Sequence, residues 1–146
     1  MLFGRIEAWQ GETSWGRFLD AGTGVHSLKW IQTLNTTSWS AITADIGMKR
    51  SIESSGVSVR EGVDEILVGN WMDEAFVESL GKYDTILADY LIGAVDGFSP
   101  YTQDLILEKY DYLVNCLDNF DLLSLFSSPC ARLSFLFLSV IDFEII

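Results

Sequence analysis

The sequence is poor in the residues that usually announce chemistry. A single histidine, His26, stands in 146 residues, which excludes a site built on several imidazoles. The two cysteines, Cys116 and Cys130, fit neither a zinc spacing nor a disulfide framework, and read as free thiols in a reducing compartment. Positive charge is scarce as well: 9 Lys and Arg face 21 Asp and Glu, a formal net charge of −12. Such a chain repels phosphate backbones, so no nucleic-acid partner is expected; a small molecule or a basic protein segment suits it better. Long apolar runs are missing too. LSFLFLSVI near the end, at 9 residues, falls short of the roughly 18 that a membrane helix needs. The opening MLFGRIEAWQGE is too polar and acidic for a signal or transit peptide. The expected location is cytoplasmic, with no membrane contact.

What is present is the composition of a folded domain, 49% apolar and 13% aromatic. The length suits a single domain over residues 1–146, with no repeat and no low-complexity linker. Strand-like apolar runs at 17–21, 39–44, 65–68 and 83–88 alternate with helix-like segments at 25–34, 47–55 and 71–80. Ser99-Pro100 opens a further helix with a good N-cap and a proline at the first turn. Ile106, Tyr110, Leu113, Leu117 and Phe120 then fall on one face. Strands alternating with helices predict a parallel sheet covered by helices, here in the order 3-2-1-4.

One stretch carries chemistry. In FLDAGTG, an apolar run ends at Asp20, Gly22 and Gly24 follow, and a helix begins at Val25. Ligands of open parallel sheets bind outside the carboxyl ends of the strands. Glycines there permit a tight turn and close backbone approach. The dinucleotide fingerprint GxGxxG is broken at Ser27, and Asp20 would oppose a pyrophosphate. A zwitterion fits better, and an amino acid joined to a nucleoside would supply one. Asp45 follows the second strand, where a carboxylate can accept both ribose hydroxyls. After the third strand, Asn70 offers an amide for an adenine edge and Trp71 a flat apolar wall.

With AITADIG, VGNWMD and YDTILADYL in order behind it, DAGTG resembles the class I S-adenosylmethionine-dependent methyltransferases over residues 16–120. The resemblance implies a Rossmann-like α/β fold and S-adenosylmethionine as cofactor. It places Asp20, Gly22 and Gly24 at the methionine end, Asp45 at the ribose, and Asn70 and Trp71 beside the adenine. Asp89 and Tyr90 would stand at the mouth where the methyl acceptor enters, and no metal is implied.

The chain departs from the family at Asn70, where an acid is common, and at its C-terminus. There SSPCARLSFLFLSVIDFEII replaces a proline-glycine-glycine turn, and the final antiparallel hairpin has no counterpart. Residues 133–141 read as a fifth strand whose bare apolar edge would invite association with a partner.

The acceptor's base, where one is needed, falls among Asp89, Tyr90, Asp96 and Tyr101, each equally readable as a solvated loop residue. His26, at the first helix, reads as a partly exposed helix-terminus residue. The strand-four loop DYLIGAVDGF lacks the Asn/Asp-Pro-Pro-aromatic motif of base-amino methyltransferases, and the paired-glutamate loop of arginine methyltransferases is absent. Three functions compete: a methyltransferase, a remnant of that fold serving as a binding or scaffold module, and a nicotinamide dehydrogenase, which Asp20 and Ser27 disfavour.

Overall fold

In the computed structural model, which describes residues 2–88, the four apolar runs pair side by side as one parallel sheet in the order β3-β2-β1-β4. The strands are β1 (Arg17–Asp20), β2 (Ser38–Thr43), β3 (Glu65–Val68) and β4 (Thr85–Leu87). The helices are α1 (Leu2–Gln10), α2 (Val25–Ile31), α3 (Ile46–Ser54) and α4 (Glu74–Ser79). This is a Rossmann-like α/β arrangement with the expected strand order. In the parallel register Phe18 lies opposite Trp39 on β2 and Thr85 on β4, and Ala41 lies opposite Ile66.

Successive residues of a strand point to opposite faces, so each strand feeds two cores. On one face Phe18, Trp39, Ala41, Ile66 and Leu87 pack with Ile6 of α1, Leu28 and Ile31 of α2, and Ile52 of α3. On the other, Leu19, Ala21, Ile42 and Ile86 pack with Val77 of α4, Leu80 and Tyr83. Because both faces are covered, the strands read as continuous apolar runs rather than alternating ones.

Three elements differ from the sequence expectation. Helix α1 went unread because its pattern is scrambled: Trp9 is 70% exposed while the polar Gln10 is buried, its amide donating to the carbonyls of Thr13 and Ser14. Helix α2 stops three residues early. The Thr33 hydroxyl and backbone both turn back to the Trp30 carbonyl and tighten the last turn. Helix α4 begins at Glu74 rather than at 71. The Asn70 side chain first accepts the Met72 N–H in a turn, and Asp73 then caps the helix through the Phe76 N–H.

The helix expected at Ser99-Pro100, the strand expected at 133–141, both cysteines, and Asp89, Tyr90, Asp96 and Tyr101 lie outside the described residues. Among the described residues no helix is long and apolar enough to cross a membrane.

Candidate functional site

β1 lies between β2 and β4, so the strand order reverses beside it, and chain continuing from its carboxyl end enters the switch-point crevice. Backbone hydrogen bonds carry the sheet slightly past its strands. Ala21 donates to the Leu87 carbonyl, Thr23 to Ile42, and Gly69 to Thr43. The three polar positions singled out in the sequence therefore share one edge. Asp20 is the last residue of β1, Asp45 follows β2 by two residues, and Asn70 follows β3 by two.

Asp20 is wholly buried. Its Oδ2 accepts a 2.6 Å hydrogen bond from the Ser27 hydroxyl. Ser27 Oγ in turn accepts the Gly24 N–H at 3.1 Å, so that donor is spent inside the loop. Sequence reasoning saw Ser27 only as a missing glycine. Its signal was its place three residues past the N-cap, where a hydroxyl can reach back.

Gly24 itself is extended, at φ −140 and ψ 170, and a Cβ built on it meets no atom within 4 Å. Neither backbone geometry nor packing among the described residues demands a glycine there. The neighbouring Thr23 is 6% exposed, and its hydroxyl has no hydrogen-bond partner among the described residues. Gly22 is half-buried in the same turn.

Asp45 is the N-cap of α3: its Oδ1 accepts the Gly47 N–H at 2.7 Å, while the residue as a whole stays exposed. Asn70 is exposed, with its Oδ1 engaged by Met72.

Trp71 is not the open wall that its sequence position suggested. It is 6% exposed, packs within the α4-side core, and its indole N–H donates to the Ala21 carbonyl at 3.0 Å. Exposed apolar surface on this edge comes instead from Ile46 (53% exposed), Met48 and Val68. The sequence reading passed over all three, because an apolar residue beside a strand reads by default as core. His26 is exposed on the first turn of α2, as expected.

The opposite end of the sheet holds a cavity of about 260 Å³ between Ile31, Thr36, Trp39, Arg60 and Asp64. It is built around an ion pair. Arg60 Nε and Nη2 donate to the two Asp64 oxygens at 2.6 and 2.7 Å. Burial would raise the Asp64 pKa, but the Arg60 guanidinium and the Trp39 N–H outweigh it and hold the carboxyl below its usual range. This end carries none of the residues singled out for ligand binding. Among the described residues no group of three or more His, Cys, Asp or Glu side chains could hold a metal ion.

The fold is a Rossmann-like parallel sheet covered by helices, with Asp20, the glycine loop, Asp45 and Asn70 at the carboxyl ends of its strands. No family model and no curated protein matches the chain. Among solved structures it is similar to the crystal structure of a coclaurine N-methyltransferase bound to N-methylheliamine and SAH, with a TM-score of 0.50 and 18% identity. The match covers 78% of this chain and 32% of that one, so the likeness spans about a third of the methyltransferase and shows a shared fold.

Proposed function

We propose that this chain binds S-adenosylmethionine at the carboxyl edge of β1, β2 and β3 and serves methyl transfer to a small molecule or a basic protein segment. The observation that carries the reading is the convergence of Asp20, the DAGTG loop, Asp45 and Asn70 on one edge of adjacent parallel strands. Two features of the loop fit such a ligand: a glycine at 24 that nothing among the described residues requires, and the buried hydroxyl of Thr23, which has no partner among them. The solved methyltransferase of the same fold, bound to SAH, supports it.

In this reading the loop at Gly22–Gly24 receives the methionine end, with the Asp20 carboxylate behind it. Asp45 Oδ2 accepts the ribose hydroxyls, and Ile46, Met48 and Val68 offer the apolar surface that an adenine ring needs. Asn70 stands at the base edge, and Trp71 supports the loop from the core. The cofactor supplies an electrophilic methyl group on a sulfonium. The protein's part is to hold that group in line with an acceptor, which by itself accounts for much of the rate in such reactions. Asp89 and Tyr90 are the proposed residues at the acceptor mouth.

Calorimetric titration with S-adenosylhomocysteine tests the reading. Asp45→Asn keeps the helix cap, since asparagine caps as well as aspartate, but removes the charge facing the ribose. Losing a charge-assisted hydrogen bond costs roughly 1.5–3 kcal/mol, so affinity should fall about ten- to a hundredfold with the melting temperature nearly unchanged. A parent chain that gives no heat of binding removes the cofactor assignment and leaves a fold remnant acting as a scaffold.

A further inference from the structure

The Ser27 hydroxyl has one proton and two acceptors within reach, Asp20 Oδ2 at 2.6 Å and the Gly24 carbonyl at 3.0 Å. The shorter contact is the Ser27 hydroxyl donating to the Asp20 carboxyl, and the Ser27 oxygen in turn accepts the Gly24 N–H. Ser27 thus joins the end of β1, the glycine loop and the first turn of α2 through a single oxygen. Asp20 and Ser27 are both buried, so the carboxylate acts on the loop through its field in a poorly screened setting, not as a solvated group.

We infer that Ser27 is a positioning residue that holds the Asp20 carboxylate, charged and fixed, behind the DAGTG loop, so that the loop prefers the ammonium-bearing end of its ligand. The inference rests on the cofactor reading above and deepens it. It assigns the serine that breaks the GxGxxG pattern a purpose: where a third glycine allows close packing and a diphosphate on the helix start, a serine here spends the Gly24 donor and fastens a negative charge.

The test compares two ligands on the full chain by calorimetry. S-adenosylhomocysteine carries the amino-acid end, and 5′-methylthioadenosine lacks it. The parent should bind the first more tightly. Ser27→Ala should weaken S-adenosylhomocysteine about tenfold, the loss expected when a hydrogen bond to a charged group goes, and change 5′-methylthioadenosine by less than about twofold. In an Asp20→Asn background the same substitution should have no further effect on the ratio of the two affinities, because Ser27 acts through that charge.

Equal weakening of both ligands by Ser27→Ala would show a hydroxyl that merely holds the loop, and no weakening of either would show an idle one. Both results overturn the inference while leaving the cofactor site in place. A parent that binds neither ligand overturns the cofactor reading and the inference with it. Should Ser27→Ala fail to melt cooperatively, Ser27→Thr and Ser27→Val decide. They share one shape and differ in the hydroxyl, so only the threonine variant should keep the parent's preference for S-adenosylhomocysteine.

Discussion

Two glycines show how one residue type can serve opposite ends. Gly16 sits at φ +58, and a Cβ there would overlap the Asp84 side chain. The fold needs that glycine, and Gly16→Ala should destabilise the chain by about 1–3 kcal/mol through backbone strain and overpacking. Gly24 has neither constraint. Serine is a better N-cap than glycine, so Gly24→Ser should leave stability unchanged or raise it by a few tenths of a kcal/mol. If a ligand's close approach is what the position serves, the same change should lower S-adenosylhomocysteine affinity roughly five- to a hundredfold, the usual cost of an extra side chain in a filled space. Thermal melts beside titrations separate the two effects. Only Gly24 was legible in the sequence, through its motif. A positive φ leaves no pattern in neighbouring residues, and the collision with Asp84 joins positions 68 apart in the chain.

At the scale of the elements, β1, β2 and β3 were readable to within a residue, because apolar runs bounded by polar turns are what a doubly covered sheet demands, whereas β4 keeps only Thr85–Leu87 of the expected 83–88. The helices were less so. Helices α2 and α4 are shortened by side chains that bond to nearby backbone, and α1 has a buried glutamine and an exposed tryptophan. What begins the strands was also hidden. Asp64 accepts the Trp39 N–H at 3.0 Å and Asp84 the Arg17 N–H at 2.8 Å, so each carboxylate closes the amino end of a neighbouring strand.

Asp64 gives the sheet a pH dependence whose sign follows from its depressed pKa. A carboxyl that is more acidic folded than unfolded contributes stability above its unfolded pKa, about 3.9, and loses it as pH falls through the folded value. Asp64→Asn should cost about 1–3 kcal/mol at neutral pH, with the exposed side of Arg60 free to hydrate, and should flatten the fall in stability below about pH 4. Urea midpoints measured from pH 7 down to pH 3 check both statements. A variant whose midpoint keeps the parent's full acid slope would show that other carboxyls control it.

Across the whole molecule, the sheet separates a stapled end from an open one. The amino ends of the strands hold the Arg60–Asp64 pair, the second strand-closing aspartate, Asp84, and the aromatic cluster of Phe3, Trp15, Phe18 and Trp30. The carboxyl ends hold short turns, exposed apolar side chains and the loop that Ser27 fastens. The location of the candidate site could be read from the sequence because topology alone dictates it, once strands and helices alternate. Its walls could not. Which apolar residue faces outward depends on how α3 and α4 lean on the sheet, and so Trp71, expected as a wall beside the adenine, belongs to the core.

That misplaced tryptophan has an optical consequence. Of the five indoles, Trp9 is open to solvent and Trp15, Trp30 and Trp39 lie in the core on the α1 side of the sheet; Trp71 alone belongs to the α4 side and is bonded to the loop strand through Ala21. The chain therefore carries a built-in fluorophore whose ring dipole feels the electric field at the candidate site, while its other emitters stand on the far face as a constant background. Adding S-adenosylhomocysteine should shift or quench the emission excited at the indole band, and Trp71→Phe should abolish that response while the background spectrum survives. A response that persists in Trp71→Phe would place the ligand away from the glycine loop.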